Sequence, residues 1–527
     1  MGSVPAALVI GVRRDRRAES APRAVHFGIW VMPLSFRPAR AALLALLLSG
    51  CVVGPNFKKP AAPEVPRYTA APLPAATVAT PGVVGGEAQR FTSGADIPAD
   101  WWTLFHSPAL DALVRQALAN NPNLKAAQAA LLAAHENTRA QHGAFLPQVS
   151  AGVGITRQRD PSGALAPVPS NNAFLYTLVT PQLSVSYMPD VFGLNRRTAE
   201  AAAAQEEATR YEMIAADIAL SANVVAAAIQ LASLEDQVEA TRALIDIDRK
   251  MLGITGYQKR KGYVGGLDVA SQQSQLAQLE ASLPPLVKQI DQQHNLLATL
   301  TGRFPGEAPA EKFALAGLSL PQDLPVSLPS ALVAQRPDVL QAEANMHAAS
   351  AQVGVATANR LPNITLSANA GSTALSIGQV FGPGTGFWNL GAALLAPIFD
   401  GGTLKHQQRA AKAAYTQAAE QYRATVLTAF QEVADALTAL DQDARTLKAT
   451  AAAADAAKRT LDLSKLQYKD GYAGYLAVLS AEQGYQQARL ALVQAEASRF
   501  ADTAALFQAL GGGWWRRTDL EGNPHAQ

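Results

Sequence analysis

The sequence predicts an α+β membrane protein made from one helix–β-hairpin–helix–helix unit that occurs twice. Three observations carry this: landmarks that recur at a nearly fixed offset, apolar residues that recur by sevens, and stretches in which apolar and small polar residues alternate. Pro122 and Pro337 are 215 residues apart, as are Pro147 and Pro362. Pro189-Asp190-Val191-Phe192-Gly193 corresponds to Pro397-Ile398-Phe399-Asp400-Gly401 at 208, and Gly262 and Gly302 correspond to Gly471 and Gly511 at 209. An internal repeat of this length decides the fold. The offset falls by about seven only between the paired Leu-Pro and the next proline, so one outer loop is expected to be shorter in the second copy.

The elements follow in order. Ser107-Pro108 reads as a helix start, serine as N-cap and proline in the first turn. Leu110, Ala117, Leu124 and Leu131 then recur by sevens in one helix that Leu146-Pro147 ends. Val149, Ala151, Val153 and Ile155 alternate with Ser150, Gly152, Gly154 and Thr156. After a Pro/Gly-rich loop, Leu183, Val185 and Tyr187 alternate with Ser184 and Ser186, which completes a hairpin of period two. Copy two repeats this with Ile364, Leu366, Ala368 and Ala370, then Trp388, Leu390, Ala392 and Leu394.

From Gly193 to Lys261 there is no proline, and Val224, Leu231, Val238, Ile245 and Leu252 recur by sevens. Val426, Val433, Leu440, Leu447, Ala454, Leu461 and Tyr468 do so in copy two. Helices of this length would run roughly 100 Å. Leu276, Leu283, Ile290 and Leu297 mark a shorter helix, in which Pro284-Pro285 is expected to make a kink or break. No stretch approaches twenty apolar residues, so no helix is expected to cross a bilayer.

The chain of 527 residues carries a net charge of +2, with 16% charged and 6% aromatic residues, so nothing points to a polyanionic partner such as nucleic acid. Cys51 is the single cysteine. Met32 is a second plausible start, followed by Arg37 and Arg40, the apolar run 41–48, and Leu48-Ser49-Gly50-Cys51. This fits a bacterial lipoprotein signal, whose cleavage leaves Cys51 as an acylated N-terminus with covalent diacylglycerol and N-acyl lipid. No other cofactor and no metal are expected. Val52, in place of an aspartate, leans towards the outer membrane.

The chain is therefore read as a signal segment with an upstream extension (1–50) and a lipidated surface tether (51–100), with order beginning near Trp101-Trp102. A first repeat (101–302), a linker or equatorial segment (303–328), a second repeat (329–513) and a tail (514–527) follow.

Four strands do not close a barrel, and an open sheet edge is forbidden in lipid because each unpaired backbone group costs several kcal/mol. The strands must join those of other subunits, so two, three or four chains would give eight, twelve or sixteen. Phe174, Tyr176, Tyr187, Phe192, Phe387, Trp388 and Phe399 gather near the strand ends as candidate interfacial girdles. The helices would continue the barrel as a periplasmic tube.

The stretch Cys51-Val52-Val53-Gly54-Pro55-Asn56-Phe57-Lys58-Lys59-Pro60 resembles the mature start of the NodT-type efflux lipoproteins. Trp101-Trp102-Thr103-Leu104-Phe105, Ser107-Pro108-Ala109-Leu110-Asp111, Asn120-Asn121-Pro122, Arg336-Pro337-Asp338-Val339 and the segment from Leu506 to Trp514 resemble the same family in one register. The resemblance implies the TolC/OprM-like outer-membrane factor fold: a homotrimer with a twelve-stranded barrel and a long α-helical tunnel. It also implies a passive exit duct for drugs or other small solutes, fed by an inner-membrane transporter of the resistance–nodulation–division type through a periplasmic adaptor.

Two tight turns, 257–268 and 468–480, should form the periplasmic end. In the family, aspartates and tyrosines at the second turn hold the tube shut. The family usually has aspartate where Ser480 stands, and TolC a further one where Ala477 stands. The gate expected here rests on Tyr468, Asp470 and Tyr472, with Asp268 in copy one. Lys259-Arg260-Lys261 is the densest basic cluster of the mature chain: a favourable helix C-terminus, or a contact for the adaptor.

Other classes find less support. There is no HExxH, cysteine pair or phosphate loop, which argues against an enzyme. His135 and His142 share a helical face and read as surface polar residues. Gly382-Pro383-Gly384-Thr385-Gly386 lacks the lysine of a phosphate loop and belongs to the second outer loop. A plain coiled coil would not need the hairpins. A duct for type I protein secretion shares the fold, and only the family resemblance weighs against it.

Overall fold

A computed structural model describes residues 52–159, 161, 175–307, 312–518 and 520. Cys51, Phe174 and the segment before Cys51 lie outside them. Short strand β1 (Arg90–Ser93) is followed by α1 (Pro108–Asn120), α2 (Pro122–His142), β2 (Gln148–Arg159), β3 (Leu175–Tyr187), α3 (Leu194–Arg260) and α4 (Gly266–Leu300). The chain continues through β4 (Asp323–Val326), α5 (Pro329–Gln335), α6 (Pro337–Ala358), β5 (Asn363–Ser372), β6 (Gly386–Leu395), α7 (Thr403–Lys469) and α8 (Tyr475–Ala509).

The duplication is closest in the helices. α3 and α7 are both 67 residues long, and α4 and α8 are both 35. At 1.5 Å per residue the long pair spans about 100 Å. Both long helices start on a carboxylate cap: Asp190 accepts from the backbone N–H groups of Asn195 and Arg196, and Asp400 from those of Gly402 and Leu404. The heptad residues Val224, Leu231, Val238 and Ile245 are buried, as are those of α7 from Val426 to Leu461.

The hairpins form one antiparallel sheet in the order β2-β3-β5-β6, in which β3 and β5 join the two copies. Its register sorts the side chains by face, because successive residues of a strand point to opposite sides. Ala151, Leu183, Ala370 and Trp388 lie in one row across all four strands, and Val149, Val185, Ala368 and Leu390 in the next row on that face. Ser150, Ser184, Asn369 and Asn389 form a row on the other face. The outer edges of β2 and β6 have no strand beside them among the described residues.

The structure corrects several expectations. The seven-residue difference between copies is not confined to a loop: the described strands shorten from 12 and 13 residues to 10 and 10. The helix after Ser107 is two helices. Asn121 ends α1 and caps α2, its Oδ1 accepting from Asn123 and Leu124 N–H, while Pro122 lacks the N–H that would continue the first ladder.

Pro284 and Pro285 do not break α4, which is helical throughout. Both prolines are exposed, so water satisfies the carbonyls they leave free. Contrary to the hydropathy reading, α3 contains an 18-residue window of mean hydropathy 1.7, long and apolar enough to cross a membrane, but 67% of that window is buried in the protein.

The 51–100 segment is also more than a surface tether. β1 pairs in parallel with β4, Ile97 is buried, and buried Gln89 donates to Pro321 O and Thr503 Oγ1. Buried Arg499 of α8 holds this segment by donating to Gly85 O, Glu87 O and Thr77 Oγ1. Order therefore begins well before Trp101.

The main core surrounds the 3-10 turn Trp101–Phe105. Trp101 stacks on Phe507 at 5.4 Å, and Phe105 meets Phe500. Buried Arg336 links α6, α7 and α8 through Asp338, Glu432 and Ala509 O. Trp514 donates to Gln335 O, and Arg517 pairs with Asp217 at 2.6 Å, so the first residues of the tail pack on this core.

Candidate functional site: the tip of the helix pairs

The turns joining α3 to α4 and α7 to α8 have the same form. Gly262 and Gly471 adopt φ of +77° and +78°, a conformation that L side chains rarely take. Gly265 and Gly474 are the N-caps of the returning helices. Tyr263 and Tyr472 occupy equivalent positions, and both are exposed, Tyr472 at 87%.

The candidate gate residues separate into two groups. Tyr468 is half-buried, donates to Gln258 Oε1 at 2.8 Å and meets Tyr475 edge-on at 5.6 Å. It therefore ties copy two to copy one, and burial, with Asp268 second, raises its phenol pKa. Asp268 stays within its own turn: its Oδ2 accepts from Gly265 N–H at 3.0 Å, which caps α4. Asp470 and Tyr472 project from the turn itself, both exposed. Ala477 holds the position in α8 that Asp268 holds in α4, so copy two lacks this cap. Ser480 is exposed one helical turn further on.

Lys259, Arg260 and Lys261 are exposed at the end of α3, where cations favour the helix dipole. Arg260 and Lys261 lie 5.9 and 5.7 Å from the Tyr257 ring centroid. His135, read as a surface polar residue, lies 2.8 Å from Glu206 of α3 where α2 packs on that helix; His142 is exposed beside Phe145.

Sequence reasoning missed the polar seam behind the tip. Three positions after the heptad run of α3, the sevens Ala227, Leu234, Thr241, Asp248 and Thr255 are all buried and turn polar towards the tip. In α8, Tyr475, Glu482, Glu496 and Thr503 fall on one heptad register and are buried. Gln483 donates to Gln275 Oε1 between the copies. Following the second core position of each heptad as well as the first would have found this seam.

Comparison with known proteins places this architecture. The model of the family described as "Outer membrane efflux protein" matches residues 113–303 and 328–512. The chain is 31% identical over 425 residues to the pyoverdine export outer membrane protein OpmQ of Pseudomonas aeruginosa, spanning 80% of this chain and 88% of the relative. It is 30% identical over 485 residues to outer membrane protein OprJ of the same organism, spanning 90% and 95%. The structure of the outer-membrane channel OprN superposes with a TM-score of 0.78 at 26% identity, covering 88% of this chain and all of that one. VceC of Vibrio cholerae gives 0.74 at 28% identity over 79% of this chain and all of that one. A doubled hairpin unit on equal helix pairs, matched along both repeats, makes this chain a member of the outer membrane efflux protein family.

Proposed function

We propose that this chain is one third of a passive outer-membrane duct, the exit channel of a tripartite efflux pump for drugs or other small toxic solutes. The observation that carries the reading is the four-stranded sheet: one apolar face, one polar face and two open edges, mounted on helices of about 100 Å. Three such sheets joined edge to edge make a twelve-stranded barrel with no free edge, lipid on the apolar side and water on the polar side. The helices extend the lumen into the periplasm, where an adaptor links the tube to an inner-membrane transporter of the resistance–nodulation–division type. Lipid on Cys51 adds a second hold on the outer membrane.

No step of this function is chemical. Energy comes from the pump, and the duct supplies a sealed path with a closable end. Tyr468, bonded to Gln258, and exposed Tyr472 and Asp470 hold that end, with Asp268 stiffening the neighbouring turn. Lys259, Arg260 and Lys261 offer a cationic patch to the adaptor.

A deletion strain tests the duct when profiled against antibiotics, detergents, metals and aromatic acids. Increased sensitivity that the cloned chain reverses is expected, and a strain stripped of related ducts yet unchanged in every profile contradicts the reading. Alanine at Asp470 and Tyr472 should raise closed-state leak in planar bilayers, and unchanged leak removes these two residues from the gate. Reversal of the three cations should weaken cross-linking to the adaptor. Mass spectrometry of the mature N-terminal peptide reads the lipid on Cys51.

A further inference from the structure

Just behind the tip, four helices bring polar side chains to one buried point. Asp248 comes from α3, Gln272 from α4, Lys465 from α7, and Tyr475 and Glu482 from α8. Asp248 is 2% exposed and Glu482 4%, and Gln272 and Tyr475 are equally buried. Asp248 Oδ2, Glu482 Oε2, Gln272 Oε1 and the Tyr475 hydroxyl have no hydrogen-bond partner among the described residues. Lys465 Nζ forms an ion pair with Glu482 Oε1 at 3.1 Å. Gln272 donates one amide N–H to Asp248 O.

Asp248 and Glu482 line one small cavity together with Lys465, and the charge of Glu482 acts on the Asp248 carboxyl. Two ionised carboxylates have no proton to share, so the contact is a bond only while one of them is protonated. With that proton the group of Asp248, Glu482 and Lys465 is neutral; without it a net negative charge is buried. Neither acid belongs to the repeat: the equivalent of Asp248 is Ala457, and that of Glu482 is Gln273. The pair is thus a feature added between the copies, where the apolar core gives way to polar bridges.

We propose that Asp248 and Glu482 form a proton-operated catch that ties the first helix pair to the second behind the tip. The proton sits between the carboxyl groups, keeps α3 on α8 and holds the tube narrow. Its loss sets two buried carboxylates against each other, with one ammonium to offset them, and the pairs part.

The facing groups agree on the sign. Burial, then the Glu482 charge, pushes the Asp248 carboxyl from its ordinary 3.8 up to about 7, and only Gln272 and Lys465 pull it down. Tyr475 stays a neutral phenol, raised by burial and by Glu482, Asp248, Tyr468 and Asp268. The joined state binds more protons than a parted, solvated one between pH 3.8 and about 7. The catch is therefore strongest in acid and weakens as pH rises through that window.

The inference rests on the duct reading, and two measurements keep the two apart. In planar bilayers, closed-state leak of the full-length trimer should rise at least about tenfold from pH 5 to pH 7.5, the effect of one pKa unit. Asp248→Asn, whose amide donates without a proton, should be flat across that window, and Glu482→Gln should be flat as well. A wild-type leak that ignores pH, or an Asp248→Asn profile like the wild type's, overturns the catch. Infrared difference spectra provide the second measurement: protonated-carboxyl intensity that titrates near neutral pH should fall in both variants relative to the wild type, leaving the part due to Asp443 and Glu496, whose carboxyls burial also raises to about 7. If the wild type shows no such intensity, or both variants keep all of it, the catch is overturned. Trimers that pass no current at any pH overturn the duct instead, and the infrared band still decides the catch.

Discussion

α3 and α7 have the same length and the same place in their repeats, yet they sit in different surroundings. α3 packs against α1, α2, α4, α6 and α8, whereas α7 packs mainly on α6 and α8. Ile218 and Leu427 occupy equivalent positions; Ile218 is 6% exposed and Leu427 66%. A long helix with exposed apolar residues on one side, like a sheet with two open edges, fits the proposed assembly with copies of the same chain. In the proposed trimer, the open face of α7 is the surface that a neighbouring subunit would cover.

Substitutions at equivalent positions sharpen this comparison. Ile218→Ala should cost about 2–5 kcal/mol by opening a cavity in a packed core, read as a lower denaturation midpoint in detergent. Leu427→Glu should leave the folded chain intact but place a charge in the subunit contact. The expected result is loss of the trimer by light scattering, and a stable trimer would show that this face of α7 is not buried by a neighbour. Asp268→Ala should cost about 1 kcal/mol at the α4 start. Ala477→Asp should return the missing cap to α8 for about 0.5–1 kcal/mol. In amide exchange the two tips should become more alike in the second variant and equally frayed in the first.

Much of the fold was legible because its signals are periodic. The two hairpins, the heptads and the turn glycines all stand near the predicted positions. What escaped was set by surroundings that no period encodes. Pro284 and Pro285 look like breakers until they prove to face solvent. Val83 to Gln89 reads as linker, although Arg499, more than 400 residues later, buries against it. Asp248 and Glu482 lie on heptad core positions, but their pairing depends on how one repeat leans on the other. The gate candidates were found as a turn, yet only the structure separates Tyr468, which bridges the copies, from Asp268, which caps a helix.

In the proposed barrel, β6 of one subunit meets β2 of the next. Double-cysteine variants pairing one position among 148–154 of β2 with one among 387–393 of β6 test it directly, oxidised in outer membranes and run without reductant. At least one register should yield covalent dimers and closed trimers, with the strongest products on residues of the same face. Cross-links confined to single chains in every register, or none in any, would contradict it.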